Sequence, residues 1–192
     1  MLRIIAGSLK GRSLIAPPGL DTRPLPDRIK QSLFDWLGQS MEDWRVADVC
    51  AGSGSFGCEA FSRGAREVHC IEAGRHAWPA LTANRRSCGD PQGLILHQRP
   101  FQAVLPTLKG LDVVFADPPF PWFSDDRTAL EDLLRLATAA LRPQGRLVVR
   151  GERGQELPPP PRGLGTAETR LYGRSWVVAL PRLATVPSAP TV

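Results

Sequence analysis

Residues 46–57 read VADVCAGSGSFG, and this stretch decides the fold. Its first residues form a short apolar run that is typical of a buried strand. The glycines that follow have the pattern G-x-G-x-x-G and lead into a segment with helical patterning. Glycine allows the backbone to turn tightly and lets a ligand approach the amides closely. The stretch therefore predicts a strand, a ligand-binding turn and a helix in succession.

An acidic residue, Glu72, follows the second predicted strand, about 20 residues after Gly52. A carboxylate in this place can accept hydrogen bonds from both ribose hydroxyls of an adenosine. The two features together predict a cofactor that contains a nucleoside, and the motif alone does not separate NAD from S-adenosylmethionine. Asp48 favours S-adenosylmethionine, because its carboxylate could order the loop that holds the methionine part.

Strand and helix patterns alternate from residue 46 onward. The predicted strands are Val46–Cys50, Glu67–Ile71, Leu94–His97, Leu111–Ala116 and Gly145–Arg150, and the predicted helices are Phe56–Arg63, Arg75–Ser87 and Arg127–Leu141. This alternation predicts an α/β fold with a doubly wound, mostly parallel sheet. Leu164–Leu171 and Ser175–Leu180 flank a Tyr-Gly-Arg turn, which predicts an antiparallel C-terminal hairpin and a total of seven strands.

The tetrapeptide Asp117-Pro118-Pro119-Phe120 comes directly after the fourth predicted strand. Ligands of open α/β sheets bind beyond the carboxyl ends of the strands, so this turn should face the same crevice as the glycine turn. Consecutive prolines fix the backbone and leave the Asp117 carboxylate and the Pro118 carbonyl to accept hydrogen bonds from an exocyclic amine. Phe120 could stack on the base. The turn predicts methylation of a base amine, with Asp117, Pro118 and Phe120 as catalytic residues.

The amino-terminal part of the chain is basic, and the net charge of the whole sequence is +5. Arg3, Lys10 and Arg12 are the only charged residues in positions 1–20 and lie among glycines, which predicts a basic arm whose flexible cations contact phosphates. A predicted helix from Asp27 to Gly38 follows. Asp27 is either its N-cap, or part of a segment with Thr22-Arg23-Pro24 that folds over the crevice and contacts the cofactor or the target base. Further candidate RNA contacts are Arg23, Arg28 and Trp122. The composition permits a nucleic-acid partner without establishing one.

The remaining patterns predict the domain organisation and exclude several classes. The four cysteines form no C-x-x-C pair and the three histidines have no metal-like spacing, so we expect neither disulfides nor a metal. No apolar run approaches the roughly 20 residues that span a bilayer, and the N-terminus has no signal peptide, which predicts a cytoplasmic protein. We also expect a monomer. The expected domains are a basic arm and helix over 1–40 packed on the catalytic domain, the catalytic domain over 41–183 and a disordered tail over 184–192.

Taken together, the motifs resemble the bacterial 16S ribosomal RNA guanine-N2 methyltransferase family over roughly residues 3–180. The resemblance rests on Arg3–Gly7, Lys10–Arg12, Thr22–Pro24, Asp27–Arg28, Leu33–Phe34, Trp36–Leu37, Ala51–Gly54, Ser62–Ala65 and Asp117–Phe120. It implies a Rossmann-like class I methyltransferase that uses S-adenosyl-L-methionine and acts on one guanine of small-subunit rRNA, free or in an assembling 30S particle. By this match the cofactor is held by Asp48, Ala51, Gly52, Ser53, Gly54 and Glu72, with Thr22 and Phe101 as further candidates.

One segment departs from the family pattern, and three other functions stay open. Such enzymes commonly have an Asp near the cofactor adenine after the third strand, where this chain has Gln98-Arg99-Pro100-Phe101, so backbone amides and Phe101 would hold the adenine. An adenine-N6 methyltransferase of DNA or RNA is an alternative, because the Asp-Pro-Pro-Phe turn serves either amine. The others are an RNA-binding assembly factor without catalysis and a dinucleotide-dependent oxidoreductase, in which this turn would have no role.

Overall fold

The computed structural model of the protein describes residues 2–19 and 25–184. The helices are α1 (Asp27–Leu37), α2 (Ser55–Ser62), α3 (Trp78–Ser87), α4 (Phe101–Val104) and α5 (Arg127–Ala140). The strands are β1 (Arg45–Val49), β2 (Glu67–Ile71), β3 (Leu94–His97), β4 (Leu111–Ala116), β5 (Leu141–Glu152), β6 (Glu168–Tyr172) and β7 (Ser175–Pro181). Over these ranges no helix has the length and apolar character needed to cross a membrane.

All seven strands belong to one sheet, in the order β3-β2-β1-β4-β5-β7-β6. The first five strands are parallel, and β7 runs antiparallel to both β5 and β6. The sheet confirms the predicted doubly wound, mostly parallel architecture with an antiparallel hairpin at its end. The strand order reverses between β1 and β4, and such a switch point opens a crevice at the carboxyl ends of the strands.

The two faces of the sheet are covered by two apolar layers. On one face α1, α2 and α3 pack together with the amino-terminal segment, and the rings of Phe34, Phe56 and Phe115 stack at centroid distances of 5.0 and 4.2 Å. On the other face α4 and α5 cover the sheet. Ile4 and Leu14 are buried in the first layer, so the amino-terminal segment shares the core of the sheet.

Several boundaries differ from the predicted ones, each for a local reason. The prediction began α3 at Arg75, but the helix begins at Trp78, where Pro79 suits the first turn. The prediction ended β1 at Cys50, but that residue has a φ of +58° and already belongs to the turn. The carboxyl-terminal hairpin is shorter than predicted on its first strand, because Leu164 makes only an isolated bridge to Arg182.

The amino-terminal arm, residues 2–15, is an ordered part of the fold and packs against α2. Its main chain donates hydrogen bonds from Ile5 and Ala6 to the Glu59 carboxylate of α2, at 2.8 and 3.0 Å. A Cβ atom at Gly7 would lie 1.8 Å from the Ser62 carbonyl oxygen, so only glycine permits this close approach. Arm and α2 therefore form one packed unit.

A buried charged cluster, formed by Lys30, Glu59 and Arg63, connects α1, α2 and the arm. Glu59 accepts a hydrogen bond from Arg63 at 2.8 Å, and the Lys30 ammonium lies 3.5 Å from the same carboxylate. Lys30 also donates to the Arg3 carbonyl and, at 3.1 Å, to the Ser55 hydroxyl at the start of α2. Burial lowers the pKa of Lys30, and Glu59 opposes that effect. The cluster fixes α1 against the start of α2.

Asp27 is not the N-cap of α1, which was one of the two roles that the sequence left open for it. Pro26 occupies the N-cap position, and its fixed φ suits a residue that precedes a helix. Asp27 is instead the first helical residue, and its carboxylate accepts a hydrogen bond from Arg3 at 3.1 Å. The carboxylate thus joins the arm to the first turn of α1. Its negative charge also interacts favourably with the helix dipole there.

Candidate active site

The carboxyl ends of β1, β2 and β4 border a crevice with a cavity volume of about 730 Å³. Ligand cavities in proteins typically measure about 300–1,000 Å³. One part of the wall is apolar and aromatic, and consists of Phe56, Ile71, Phe101, Phe115 and Trp122. The other part is charged, and consists of Asp48, Glu72, Arg99, Asp117 and Arg150. The switch point thus opens a cavity that combines flat apolar surfaces with convergent carboxylates.

The glycine turn lies at the floor of this crevice and requires glycine at two positions. Gly52 and Gly54 have φ values of +53° and +71°, in the left-handed region that side chains disfavour. A Cβ atom at Gly54 would also lie 2.5 Å from a methyl carbon of Leu81 on α3. The turn therefore holds its backbone close against α3 and presents residues 51–53 to the cavity.

Glu72 joins the glycine turn to the loop after β2. One carboxylate oxygen accepts the Gly52 N–H at 2.8 Å, and the other accepts the Gly74 N–H at 2.6 Å. Each carboxylate oxygen has a second lone pair, so both oxygens can still accept a hydroxyl hydrogen from the crevice. The half-buried carboxylate is thus held in one orientation at the carboxyl end of β2.

Asp48 lies deeper, with 2% of its surface exposed. Its carboxylate accepts the Gly57 N–H at 2.9 Å and so ties β1 to the first turn of α2. Burial raises the pKa of Asp48 well above its ordinary value, and the hydrogen bond from Gly57 opposes that effect. The contact orders the loop between β1 and α2, which is the role that the sequence predicted for this carboxylate.

Asp117 lies at the end of β4 and forms an ion pair that the sequence analysis missed. The Arg150 guanidinium, on the neighbouring strand β5, donates to Asp117 Oδ2 at 2.7 Å. Burial raises the pKa of Asp117 and Arg150 lowers it. A signal was present in the sequence, because Arg150 is a charged residue directly after the apolar run Leu147–Val149.

Two aromatic residues of the turn after β4 lie at the mouth of the crevice. A 3-10 turn over Phe120–Phe123 follows Pro119, and the Phe120 side chain is 45% exposed. Trp122 is half-buried and packs against Phe101, with ring centroids 5.4 Å apart. The mouth of the crevice therefore carries an exposed aromatic ring beside a tilted aromatic pair.

The structure brings most predicted site residues into this one crevice. Those that line it are Asp48, Ala51, Gly52, Ser53, Glu72, Phe101, Asp117, Pro118, Phe120 and Trp122. Gly54 lies below the turn against α3. Thr22 and Arg23 lie outside the described residues. The sequence analysis missed Phe56 and Phe115, which its helix and strand patterns assigned to the core alone.

The remaining predicted RNA contacts lie on the surface of the amino-terminal layer. Arg3, Lys10, Arg12 and Arg28 are exposed. Arg3 forms an ion pair with Asp27, and Arg12 donates a hydrogen bond to the Ser87 carbonyl at the end of α3. Their role in RNA binding stays a prediction. Within residues 2–19 and 25–184, no three His, Cys, Asp or Glu side chains come together as a metal-binding group.

The sheet, the glycine turn and the acidic residue after β2 define a Rossmann-like class I methyltransferase. A model of the family described as "Conserved hypothetical protein 95" matches residues 2–180, and the chain belongs to this family. The chain is 32% identical over 184 residues to "Putative rRNA methyltransferase YlbH" of Bacillus subtilis, and the alignment covers 92% of this chain and 96% of that protein.

Two matches from Escherichia coli, one in sequence and one in structure, extend the comparison. The chain is 33% identical over 119 residues to "Ribosomal RNA small subunit methyltransferase D" of strain K12, and this alignment spans 62% of the chain and 60% of that relative. A solved structure described as "Putative methyltransferase yhhF from Escherichia coli" superposes with a TM-score of 0.81 and 28% identity, and covers 96% of this chain and 99% of that one. The resemblance seen in the sequence is thereby confirmed at the level of family and enzyme class.

Proposed function

We propose that the protein transfers a methyl group from S-adenosylmethionine to the exocyclic N2 amine of a guanine in 16S ribosomal RNA. The observation that carries this proposal is the position of the Asp117 carboxylate, in the same crevice as Glu72 and the glycine turn. The relatives named as rRNA methyltransferases support ribosomal RNA as the substrate. Guanine-N2 as the target follows from the family resemblance of the combined motifs over residues 3–180, since the Asp-Pro-Pro-Phe turn alone serves either amine.

The residues of the crevice fit S-adenosylmethionine in shape and charge. This cofactor is a sulfonium cation whose methionine part carries both an ammonium and a carboxylate group. The cavity offers partners for both signs, with the carboxyl groups of Asp48, Glu72 and Asp117 and the guanidinium groups of Arg99 and Arg150 in its wall. We assign the ribose to Glu72, the adenine to the apolar wall at Phe101, and the methionine part to the glycine turn that Asp48 orders.

The proposed mechanism relies on orientation of the base amine. When bound, S-adenosylmethionine supplies an electrophilic methyl carbon. Asp117 accepts one N–H of the amine and the Pro118 carbonyl accepts another, which raises the electron density on the nitrogen and directs its lone pair. Attack of the nitrogen on the methyl carbon would displace the sulfur as a neutral thioether, and the methylated nitrogen would then lose one proton to water. Such a displacement needs mainly positioning and electrostatics.

The substrate must present its guanine outside the base stack, because the amine has to reach Asp117 inside the crevice. Phe120, exposed at the mouth of the crevice, is placed to stack on the extruded base. We assign phosphate contacts to Arg3, Lys10, Arg12, Arg23 and Arg28, and an RNA contact to Trp122. The proposed partner is small-subunit rRNA or an assembling 30S particle, bound by a monomer in the cytoplasm.

The test is transfer of radiolabelled methyl groups from S-adenosylmethionine to small-subunit particles and to naked rRNA, both from a strain that lacks this gene. We expect label in N2-methylguanosine after nucleoside analysis, and none with the Asp117→Ala variant. Label in N6-methyladenosine would keep the mechanism and overturn the target. Absence of label in both substrates, despite tight cofactor binding, would overturn the proposal of catalysis on ribosomal RNA.

A further inference from the structure

Arg150 is the cation that contacts the proposed catalytic carboxylate. We infer that Arg150 is a positioning residue for methyl transfer, which holds the Asp117 carboxylate in one orientation and favours its ionised form. This inference rests on the proposed function, since it assigns a role to the partner of Asp117. It adds a residue that neither the motifs nor the resemblance indicated.

The geometry fixes the guanidinium from two sides. The sheet pairs Ala116 with Val149, and this register brings Arg150 beside Asp117. Arg150 is only 6% exposed, and donates to Asp117 Oδ2 at 2.7 Å and to the hydroxyl of Ser175 on β7 at 3.3 Å. A planar guanidinium can hold two acceptors in fixed directions at once. Three neighbouring strands therefore determine where the carboxylate points.

Arg150 also opposes the effect of the surrounding groups on the pKa of Asp117. The titratable groups that face Asp117 are Asp48 on β1, Cys50 in the turn after β1, and Arg150 and Glu152 on β5. Burial and the negative charge of Glu152 raise the pKa of Asp117, whereas Arg150 lowers it through its charge and its hydrogen bond. The guanidinium is thus the group in this set that favours the ionised carboxylate.

The ion pair makes one oxygen of Asp117 the better acceptor for the substrate. Oδ2 already accepts from Arg150 and keeps one lone pair, so we assign the amine N–H of the base to Oδ1. A protonated Asp117 would be a poorer acceptor and could donate its own proton, so it would no longer direct the nitrogen lone pair. Arg150 therefore acts on the reaction through Asp117 and not through contact with the base.

A second pair of the same kind provides a matched control. At the opposite end of β4 and β5, Arg142 forms an ion pair with Asp112. This guanidinium is 49% exposed and lies away from the crevice. Arg142→Gln therefore removes one arginine from β5, and one Asp–Arg pair between the same two strands, without changing the surroundings of Asp117.

The kinetic test compares the pH profiles of kcat for wild type, Arg150→Gln, Arg150→Lys and Arg142→Gln. We expect the acid limb of Arg150→Gln to move to higher pH by about one to three pH units, with activity recovering under alkaline conditions. Arg150→Lys should keep the acid limb in place but lose about tenfold in kcat, because an ammonium cannot hold Asp117 and Ser175 in the same fixed directions. Arg142→Gln should match wild type.

Titration of the Asp117 carboxyl carbon by NMR, without substrate or cofactor, separates this inference from the proposed function. The Asp117 pKa should rise in Arg150→Gln and stay near the wild-type value in Arg142→Gln, even if no RNA is methylated. Equal pKa values in Arg150→Gln and wild type, or an equal rise in Arg142→Gln, would overturn the inference. If Arg150→Gln does not fold, Arg150→Lys decides, since wild-type kcat in that variant would exclude a positioning role.

Discussion

Glu72 and Asp117 each follow a strand that borders the crevice, yet a different kind of donor holds each carboxylate. Glu72 accepts two backbone N–H groups from the loops on either side of it. Asp117 accepts instead from a side chain on the next strand. Glu72 is therefore fixed to the glycine turn, and Asp117 is fixed to the neighbouring strand β5. Substitutions at the two positions should separate cofactor binding from methyl transfer.

Replacement of Asp117 by alanine should abolish methyl transfer and leave the affinity for S-adenosylmethionine within a few-fold of wild type. The reason is that the cofactor contacts assigned here lie at the glycine turn and Glu72, while the amine of the base depends on Asp117. The measurements are single-turnover transfer and calorimetric titration of the cofactor. Asp112→Asn, on the same strand, is the control, and near-normal turnover of the alanine variant would exclude the mechanism.

Replacement of Glu72 by glutamine should weaken cofactor binding by about 10- to 100-fold, equivalent to roughly 1.4–2.8 kcal/mol. Glutamine keeps one acceptor oxygen, but its amide group would face one of the two N–H donors that the carboxylate now accepts. Calorimetric titration measures the change. Glu67→Gln, at the other end of β2, should bind the cofactor normally, and equal affinities in all three proteins would contradict the ribose assignment.

At the scale of elements, the amino-terminal layer is attached to the sheet by buried charge as well as by apolar packing. The Glu59 carboxylate on α2 accepts two main-chain N–H groups of the arm. The same carboxylate also pairs with Lys30 of α1 and with Arg63. Removing one member of a buried ionic group leaves the others desolvated and uncompensated. The layer therefore depends on a residue that lies far in sequence from most of its partners.

Glu59→Gln should lower the free energy of unfolding by about 3–5 kcal/mol, because Lys30 and Arg63 would stay buried without a full counter-charge. Urea denaturation followed by circular dichroism measures the loss. Asp132→Asn in the exposed ion pair with Arg135 on α5 should cost less than about 1 kcal/mol. Similar losses in the two variants would show that the buried cluster contributes no more than a surface pair.

The elements differ in how far the sequence predicted them. The bounds of β2, β3 and β4 agree with the prediction, because each is a mostly apolar stretch flanked by glycine, polar or charged residues. The cluster around Glu59 was not predicted, since a single glutamate within an apolar helix does not indicate which distant cation will face it. Local sequence patterns indicate which residues are buried. Which side chains of different elements then pair depends on the tertiary arrangement.

In the crevice, too, the sequence predicted single residues but not the pairing between elements. Glu72 and Asp117 were predicted because each follows an apolar strand whose end must lie at the switch point. Arg150 has the same signature on β5, but nothing in the sequence states that β5 lies beside β4 in a register that joins Arg150 to Asp117. The 3-10 turn over Phe120–Phe123 was also missed, because two prolines near it predicted only an irregular loop.

At the scale of the whole molecule, the excess positive charge and the two-layered fold suggest a one-sided RNA surface. The arm with Arg3, Lys10 and Arg12 packs with α1, α2 and α3 on one face of the sheet, while α5 covers the other face. Two of these cations already contact protein groups, since Arg3 pairs with Asp27 and Arg12 binds a carbonyl. Their contribution to RNA binding should therefore be smaller than that of unengaged cations.

Neutralising Arg3, Lys10 and Arg12 together by glutamine should weaken RNA binding and flatten its salt dependence. Each lost phosphate contact to single-stranded RNA reduces the slope of log K against log salt by about 0.7. The measurement is fluorescence anisotropy with a labelled rRNA fragment at several salt concentrations. Arg135→Gln, on the opposite layer, is the control, and an unchanged slope in the triple variant would place the RNA surface elsewhere.

The contact between Trp122 and Phe101 gives the molecule an optical consequence. Among the described tryptophans, Trp122 is the one that lines the crevice, and its indole ring is half-buried against a ring assigned to the cofactor adenine. Indole emission responds to the polarity and stacking of its surroundings, so occupation of the crevice should change the intensity and wavelength of the intrinsic fluorescence. Trp122→Phe should abolish that signal. The wild-type enzyme would thus carry its own reporter of ligand binding, without any dye.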